Sequence, residues 1–374
     1  MAHVAHQITP LGGGAADLAD ELAAAISRDG PISVARYMNA ALQDPRFGYY
    51  TRRDPLGAAG DFITAPEISQ MFGEIIGLWF ADLWQRQGRP SPGRLVELGP
   101  GRGTLMADLL RAARALPGFR AALELHLIES SPVLRAKQAW KLADRLPEWH
   151  ERFDQVPEGP ALVMANEFFD ALPVHQVVKV GDRWHERLVD SDGAGGFRFT
   201  HGASPSPLAN YLPPRAATAP PGSIAEMGLE GRKLMGEIAA RVARHGGGAL
   251  IVDYGPARDG FGDSLQAVKN HRPHPVLADP GTADVTAHVD FAALAEAARA
   301  EGAEVFGPAP QGAFLFRLGV ELRAKNLKAK ASAADAQAID DAVRRLTAAE
   351  AMGRSFKVLA VVPPGTTQLP GFHD

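Results

Sequence analysis

The stretch RLVELGPGRGTLMADLL, from Arg94 to Leu110, decides the fold. Leu95, Val96 and Leu98 form a short apolar run of the kind that fills a buried parallel strand. Gly99, Gly101 and Gly103 then turn the chain with no side chain in the way. Thr104 stands where it could cap a helix whose apolar side carries Leu105, Leu109 and Leu110. A strand that feeds a helix through bare backbone brings free N–H groups close to whatever sits above the sheet. The turn therefore reads as a ligand cradle.

Working outward, the alternation continues. The strand at 94–98 and its helix are followed by an expected strand at 122–129, a helix at 132–145 and a strand at 161–168. Upstream, residues 15–28 and 69–84 carry helical patterns. Downstream, residues 175–200 alternate at period two around a glycine-rich turn, which reads as an inserted β-hairpin. A Pro/Ala loop (203–222) leads to an expected helix at 223–244, a strand in GGALIVDYG, a helix at 290–301 and late strands near 313–318 and 355–362. An alanine-rich helix is expected at 324–350. Repeated strand–helix units with apolar strands imply a doubly wound α/β sheet covered on both faces. The division expected is an N-terminal helical segment, 1–92, covering the ligand site, and a Rossmann-like domain, 93–374, with an insertion at about 175–222.

Composition bounds the function. The chain has 374 residues, 46% hydrophobic and 22% charged, with a formal charge of −4, which is ample for a large core. Lys and Arg number 39 against 43 Asp and Glu, a balance unlike that of a bulk nucleic-acid binder. There is no cysteine, which excludes disulfides, thiolate metal sites and cysteine nucleophiles. No apolar run reaches the roughly 20 residues of a membrane span, and MAHVAHQITPLGGG lacks the pattern of a secretory signal. The expected setting is the cytoplasm.

A dinucleotide fold normally writes G-x-G-x-x-G, whereas this chain writes Gly99-x-Gly101-x-Gly103 with Glu97 two residues before the first glycine. That acidic form resembles the first motif of class I S-adenosylmethionine-dependent methyltransferases. A carboxylate suits a ligand with a cationic methionyl end and would repel a diphosphate. Glu129, ending the next strand, is placed to accept ribose hydroxyls, a feature shared by both cofactor classes. GDFITAPEISQMFGEIIGLW (60–79), HLIESSPVLRAKQ (126–138), NEFFDALPVHQ (166–176) and DSLQAVKNHRPHPVLADPGTADVTAHVDF (263–291) together resemble the MidA family, in order and over nearly the whole chain. That family includes the mitochondrial complex I assembly factor that methylates an arginine. The resemblance implies a class I methyltransferase fold, S-adenosyl-L-methionine as cofactor and methyl transfer to a protein arginine that can yield symmetric dimethylarginine. A respiratory complex subunit is the acceptor it suggests. The chain shows no arginine-rich, transit-like leader, so a bacterial source is expected.

The candidate site follows from these blocks. Glu97, Gly99, Gly101, Gly103 and Glu129 are expected to contact the cofactor, as are Asp61 and Thr64 before the long helix, Phe153 and Asp154 after the third strand, and Asn166. Pro66 and Glu67 also suit the first turn of a helix started by Thr64 or Ser69. Guanidinium is a poor nucleophile because its charge is delocalised and it stays protonated. A carboxylate can grip it and orient one nitrogen. Glu167, just past the end of a central strand, is the candidate for that grip, with Asp170 as its catalytic companion. Glu67 and His288 are candidates for the substrate side. His271, His274 and His288 with Asp284 and Asp290 lie in a proline-rich loop without a metal-ligand spacing, so no metal is expected. Rival functions are an assembly chaperone that only binds the cofactor, a small-molecule methyltransferase and a nicotinamide oxidoreductase.

Overall fold

Seven strands build the central sheet of the computed structural model, which describes residues 17–52, 63–116, 118–257 and 260–372. Numbered along the chain they are β1 (Gly93–Leu98), β2 (Leu123–Ile128), β3 (Glu148–His150), β4 (Ala161–Asn166), β5 (Gly247–Tyr254), β6 (Glu304–Pro310) and β7 (Phe356–Val362). Their order across the sheet is β6-β7-β5-β4-β1-β2-β3. β7 runs antiparallel to β5 and β6, and the other pairs are parallel. From β1 the chain moves outward through β2 and β3, then returns to place β4 on the other side of β1. That reversal opens a crevice at the carboxyl ends of β1 and β4, where open α/β sheets bind ligands.

Strand residues alternate between two cores. Leu95, Leu162, Leu250 and Val358 point to one, and Val96, Val163, Ile251 and Leu359 to the other. Both faces are apolar because both are covered. Helices Gln70–Arg86 and Thr104–Ala112 cover the first face and Leu229–His245 and Phe291–Ala300 the second. The first two helices approach closely at Gly73 and Gly77. A Cβ at Gly77 would lie 2.6 Å from the Leu109 carbonyl oxygen. Glu74, 5% exposed, locks this crossing by pairing with Arg111 at 3.2 Å and Arg323 at 2.7 Å.

A second body is antiparallel. Ile32–Ser33, Arg183–Ser191, His175–Val180 and Ile224–Met227 pair in that order, and Phe197–Pro205 adds to Arg183–Ser191. A three-stranded sheet holds Gln266–Lys269 between Arg272–His274 and Asp284–Thr286. Helices Leu18–Asp29 and Val34–Gln43 bury Leu22, Tyr37 and Met38 in one core with Val174, Val189, Ala267 and Val285. The segment read as one unit, 1–92, thus divides: its first helices belong with the inserted sheets, and Gln70–Arg86 belongs with the central sheet.

Other element expectations are corrected. Residues 313–317 lie in helix Gln311–Arg317, capped by Leu318, and the late strand precedes it as β6. The start of the expected 223–244 helix is strand Ile224–Met227, which pairs with His175–Val180 before helix Leu229–His245 begins. The alanine-rich run is two helices, Val320–Lys328 and Ala333–Thr347, because the Ser332 hydroxyl caps the second by accepting from the Asp335 N–H. No helix among the described residues is long and apolar enough to cross a membrane.

Candidate active site

The crevice over β1 and β4 widens into a cleft of about 440 Å³ that runs from the glycine turn to the three-stranded sheet. At the turn, Gly99, Gly101 and Gly103 all take positive φ, at 58°, 52° and 76°. Only glycine adopts such a run without strain. A Cβ at Gly99 would also lie 2.8 Å from Phe168 Cδ2. Gly103 rather than Thr104 occupies the cap position of helix Thr104–Ala112. The Thr104 hydroxyl is used elsewhere, donating to Glu67 Oε1 at 2.6 Å and accepting from Lys141 Nζ at 2.7 Å.

Glu97 is 3% exposed, and burial together with the charge of Glu129 pushes its carboxyl up to about 8. Its Oε2 is buried with no hydrogen-bond partner among the described residues. A cationic donor above the turn would supply the missing bond, which the ammonium end of S-adenosylmethionine fits. Glu129, just past the end of β2, accepts from the Ser131 N–H at 2.8 Å and from Gln138 Nε2 at 3.1 Å. The same Gln138 amide donates to the Gly101 carbonyl at 2.7 Å and is held by Trp149 Nε1 at 2.8 Å. Gln138 thereby fixes the glycine turn against the Glu129 carboxyl group. It sits inside a stretch that the sequence marked, but its own role shows only once the helix Pro132–Lys141 is folded back.

β4 ends at Asn166, and the next residue, Glu167, takes φ 50°, a left-handed conformation that is uncommon for a residue with a side chain. Two groups hold it there. The Glu167 N–H donates to the Val252 carbonyl at 2.8 Å. Oδ2 of the fully buried Asp253 accepts from the N–H groups of Phe168, Phe169 and Asp170 at 3.1, 3.0 and 3.3 Å. Glu167 Oε1 accepts from the Ala65 N–H at 3.1 Å and from Asn166 Nδ2 at 3.3 Å. Burial, with Asp170 close by, raises the Glu167 carboxyl to about 7. Burial raises Asp170 to about 6, against the opposing hydrogen bond from the Tyr254 hydroxyl. Asp253 is pushed up as well, by burial and by Asp170.

The structure gathers most of the expected residues on one cleft: Thr64, Glu67, Glu97, Gly99, Gly101, Glu129, Asn166, Glu167 and Asp170 all line it. Gly103 stands behind it as the helix cap. Asp61 lies outside the described residues. Phe153 and Asp154 are elsewhere: Phe153 is buried in the second core with the Arg241 guanidinium 4.7 Å from its ring centre, and Asp154 pairs with Arg152 at 3.1 Å on the surface. Glu151, two residues earlier, lines the cleft in their place. His288 is exposed and stacks edge-on against Tyr254, which does line it. Sequence reasoning missed Asn39, Gln43 and Tyr50, which come from the N-terminal helices, and Glu230, from the first turn of helix Leu229–His245. One group of possible metal ligands lies together among the described residues, His126, Glu148 and His150, at the edge of the sheet. Burial lowers both imidazoles below their usual value, and the rings share a 3.0 Å hydrogen bond.

Comparison with known proteins agrees with this fold. A family model described as an S-adenosyl-L-methionine-dependent methyltransferase matches residues 75–309. The mitochondrial protein arginine methyltransferase NDUFAF7 homolog of Drosophila melanogaster is 41% identical, over 94% of this chain and 86% of that protein. The mitochondrial protein arginine methyltransferase NDUFAF7 of Homo sapiens is 36% identical, over 90% of this chain and 81% of its own. A COG1565 superfamily member from Burkholderia thailandensis, solved with S-adenosyl-homocysteine bound, superposes with a TM-score of 0.81 at 30% identity, covering 95% of this chain and 94% of that one. The cytoplasmic expectation is overturned by the relatives, which are named as mitochondrial proteins. The nicotinamide alternative falls with the family match. The chain belongs to this family of S-adenosyl-L-methionine-dependent methyltransferases, the one its motifs resembled.

Proposed function

We propose that the enzyme methylates a guanidinium nitrogen of a protein arginine. One observation carries the reading: among the described residues, eight carboxyl side chains, Glu67, Glu97, Glu129, Glu151, Glu167, Asp170, Glu230 and Asp284, line the cleft against one basic side chain, Arg102. A cleft of that sign attracts and holds cations. The names of the relatives as protein arginine methyltransferases support the same acceptor class. Symmetric dimethylation and a respiratory complex subunit as acceptor rest on the family resemblance.

The division of labour follows from position. S-adenosylmethionine, when bound, supplies an electrophilic methyl group on a sulfonium. Glu97 and the glycine turn would hold its amino-acid end, and Glu129, steadied by Gln138, its ribose. Glu167 grips the acceptor: its two hydrogen bonds fall on Oε1, and Oε2 accepts none among the described residues. Asp253 keeps the Glu167 turn in place by holding the next three N–H groups. A guanidinium must give up a proton to become a product, and carboxyls at about 7 and about 6 are poised near neutral pH to take it. No thiol or metal is needed for these roles.

The test is transfer of tritium from labelled S-adenosylmethionine to the proteome of a strain lacking this gene, with Glu167→Ala as control. A protein band made by wild type alone, yielding methylated arginine on hydrolysis, is expected. Label recovered on lysine, histidine or a small molecule would overturn the reading.

A further inference from the structure

Methyl transfer leaves one cluster of polar side chains without a role. His126 and Glu148 are partners across the parallel pair β2–β3, and His150 lies two residues beyond Glu148. Successive side chains of a strand point to opposite faces, so all three stand on the same face of the sheet. His126 is buried, His150 half-buried and Glu148 exposed, and one ligand atom from each lies within 4.8 Å of the other two. His126 Nδ1 is 3.0 Å from His150 Nε2 and 3.7 Å from Glu148 Oε2.

One hydrogen bond accounts for the two rings but not for the carboxylate, which stands beyond hydrogen-bond reach of His126. A metal ion accounts for all three. Ligand atoms about 2.0–2.1 Å from a tetrahedral centre lie roughly 3.3 Å apart, between the two measured separations. His126 Nε2 has no hydrogen-bond partner among the described residues, so nothing on that side of the ring fixes its proton to Nδ1. Two imidazoles and one carboxylate suit zinc and its neighbours cobalt and nickel, whereas magnesium and calcium prefer oxygen ligands alone. Arg94 and Arg135 lie near the rings and oppose a dication, with Glu124, 3.8 Å from Arg94, offsetting part of that charge. Binding weaker than that of a zinc finger follows.

We propose that His126, His150 and Glu148 form a site for one divalent transition-metal ion of the zinc class, which ties β3 to β2. The fourth tetrahedral position is left to water. β3 is three residues long and ends the sheet, so it has one neighbouring strand to hold it. It also supports the cofactor end of the cleft. The His150 carbonyl accepts from the Glu129 N–H at 3.0 Å, and Trp149 Nε1 holds Gln138 at 2.8 Å. An ion at this edge therefore steadies the strand on which Glu129 and Gln138 lean.

The experiment titrates chelator-treated protein with zinc chloride by calorimetry and follows its Tm as zinc is added. Wild type is expected to bind the ion, and its Tm to rise with zinc concentration, as for any ligand taken up by the folded chain alone. His150→Ala should weaken binding by at least about tenfold, since removing a ligand costs no less than removing the group that orients one. Glu148→Gln should weaken it several-fold. His185→Ala, from the pair His185 and His201 on the inserted sheet, should bind zinc as wild type does. Binding of S-adenosylhomocysteine without zinc establishes that each variant folds. No binding by wild type, or an affinity unchanged in His150→Ala, would overturn the site, as would binding lost in His185→Ala instead. Should His150→Ala fail to fold, Glu148→Gln, at an exposed position, decides by the same criterion.

Discussion

Cofactor binding should release a proton from Glu97. Its carboxyl is raised to about 8 by burial and by Glu129, so at pH 7 roughly nine molecules in ten carry it protonated. The α-amino group of the cofactor is mostly an ammonium at that pH, and pairing with it requires the carboxylate. Ionising Glu97 at pH 7 therefore costs about 1.4 kcal/mol, set against about 1.5–3 kcal/mol for a charged hydrogen bond. The net contribution at pH 7 is then about 0–1.6 kcal/mol, and the full value appears above pH 8. Calorimetry of S-adenosylhomocysteine binding at pH 7, in buffers of different ionisation heat, should show release of close to one proton by wild type and close to none by Glu97→Gln. The variant should bind within about tenfold of wild type at pH 7, with the gap widening above pH 8. Equal proton release by the two proteins would refute the assignment of Glu97 to the ammonium group.

Further expectations concern the two turns. Gly99→Ala should abolish cofactor binding, because its Cβ would meet the Phe168 ring at 2.8 Å and φ 58° disfavours any side chain; retained binding by equilibrium dialysis would contradict the cradle. Asp253→Ala strips three backbone N–H groups of their acceptor. At about 1–3 kcal/mol for each buried unpaired donor, the urea midpoint should fall sharply, and an unchanged midpoint would show that the turn is held by other contacts. Glu167 is raised to about 7 in the fold from an ordinary value near 4.5. The folded state thus binds more protons between those values, so its contribution is complete below pH 4.5 and lost as pH rises through 7. Glu167→Gln should be more stable than wild type by an amount that grows from pH 5 to pH 8 in thermal denaturation, and a gain independent of pH would contradict the shift.

The residues that made the fold legible were those whose local pattern and tertiary role coincide. The run from Leu95 through Gly103 encodes strand, turn and helix start within ten positions, and β4 and β5 are near-continuous apolar runs because both faces are covered. β6 was hidden because Gly307, Pro308 and Pro310 interrupt its pattern, and its register against β7 shifts between Phe306 and Ala309. Phe314 and Leu315 in the neighbouring helix looked like a strand because they are buried side by side in one core. Ile224–Met227 is a strand only by virtue of pairing with His175–Val180. The candidate site divides in the same way. The glycine-turn end of the cleft is built largely from residues 97–103, one stretch whose pattern could be read locally. Tyr50 and Asp284 meet through the packing of the N-terminal helices on the three-stranded sheet, which no local pattern announces.

The central claim is that this cleft modifies arginine and does so through Glu167. Quantitative mass spectrometry of arginine methylation in a gene-deleted strain, restored with wild type or with Glu167→Gln at equal abundance, tests it most directly. The account predicts methylated arginine sites restored by wild type and absent with the variant. Identical sites at identical occupancy in both strains would contradict it.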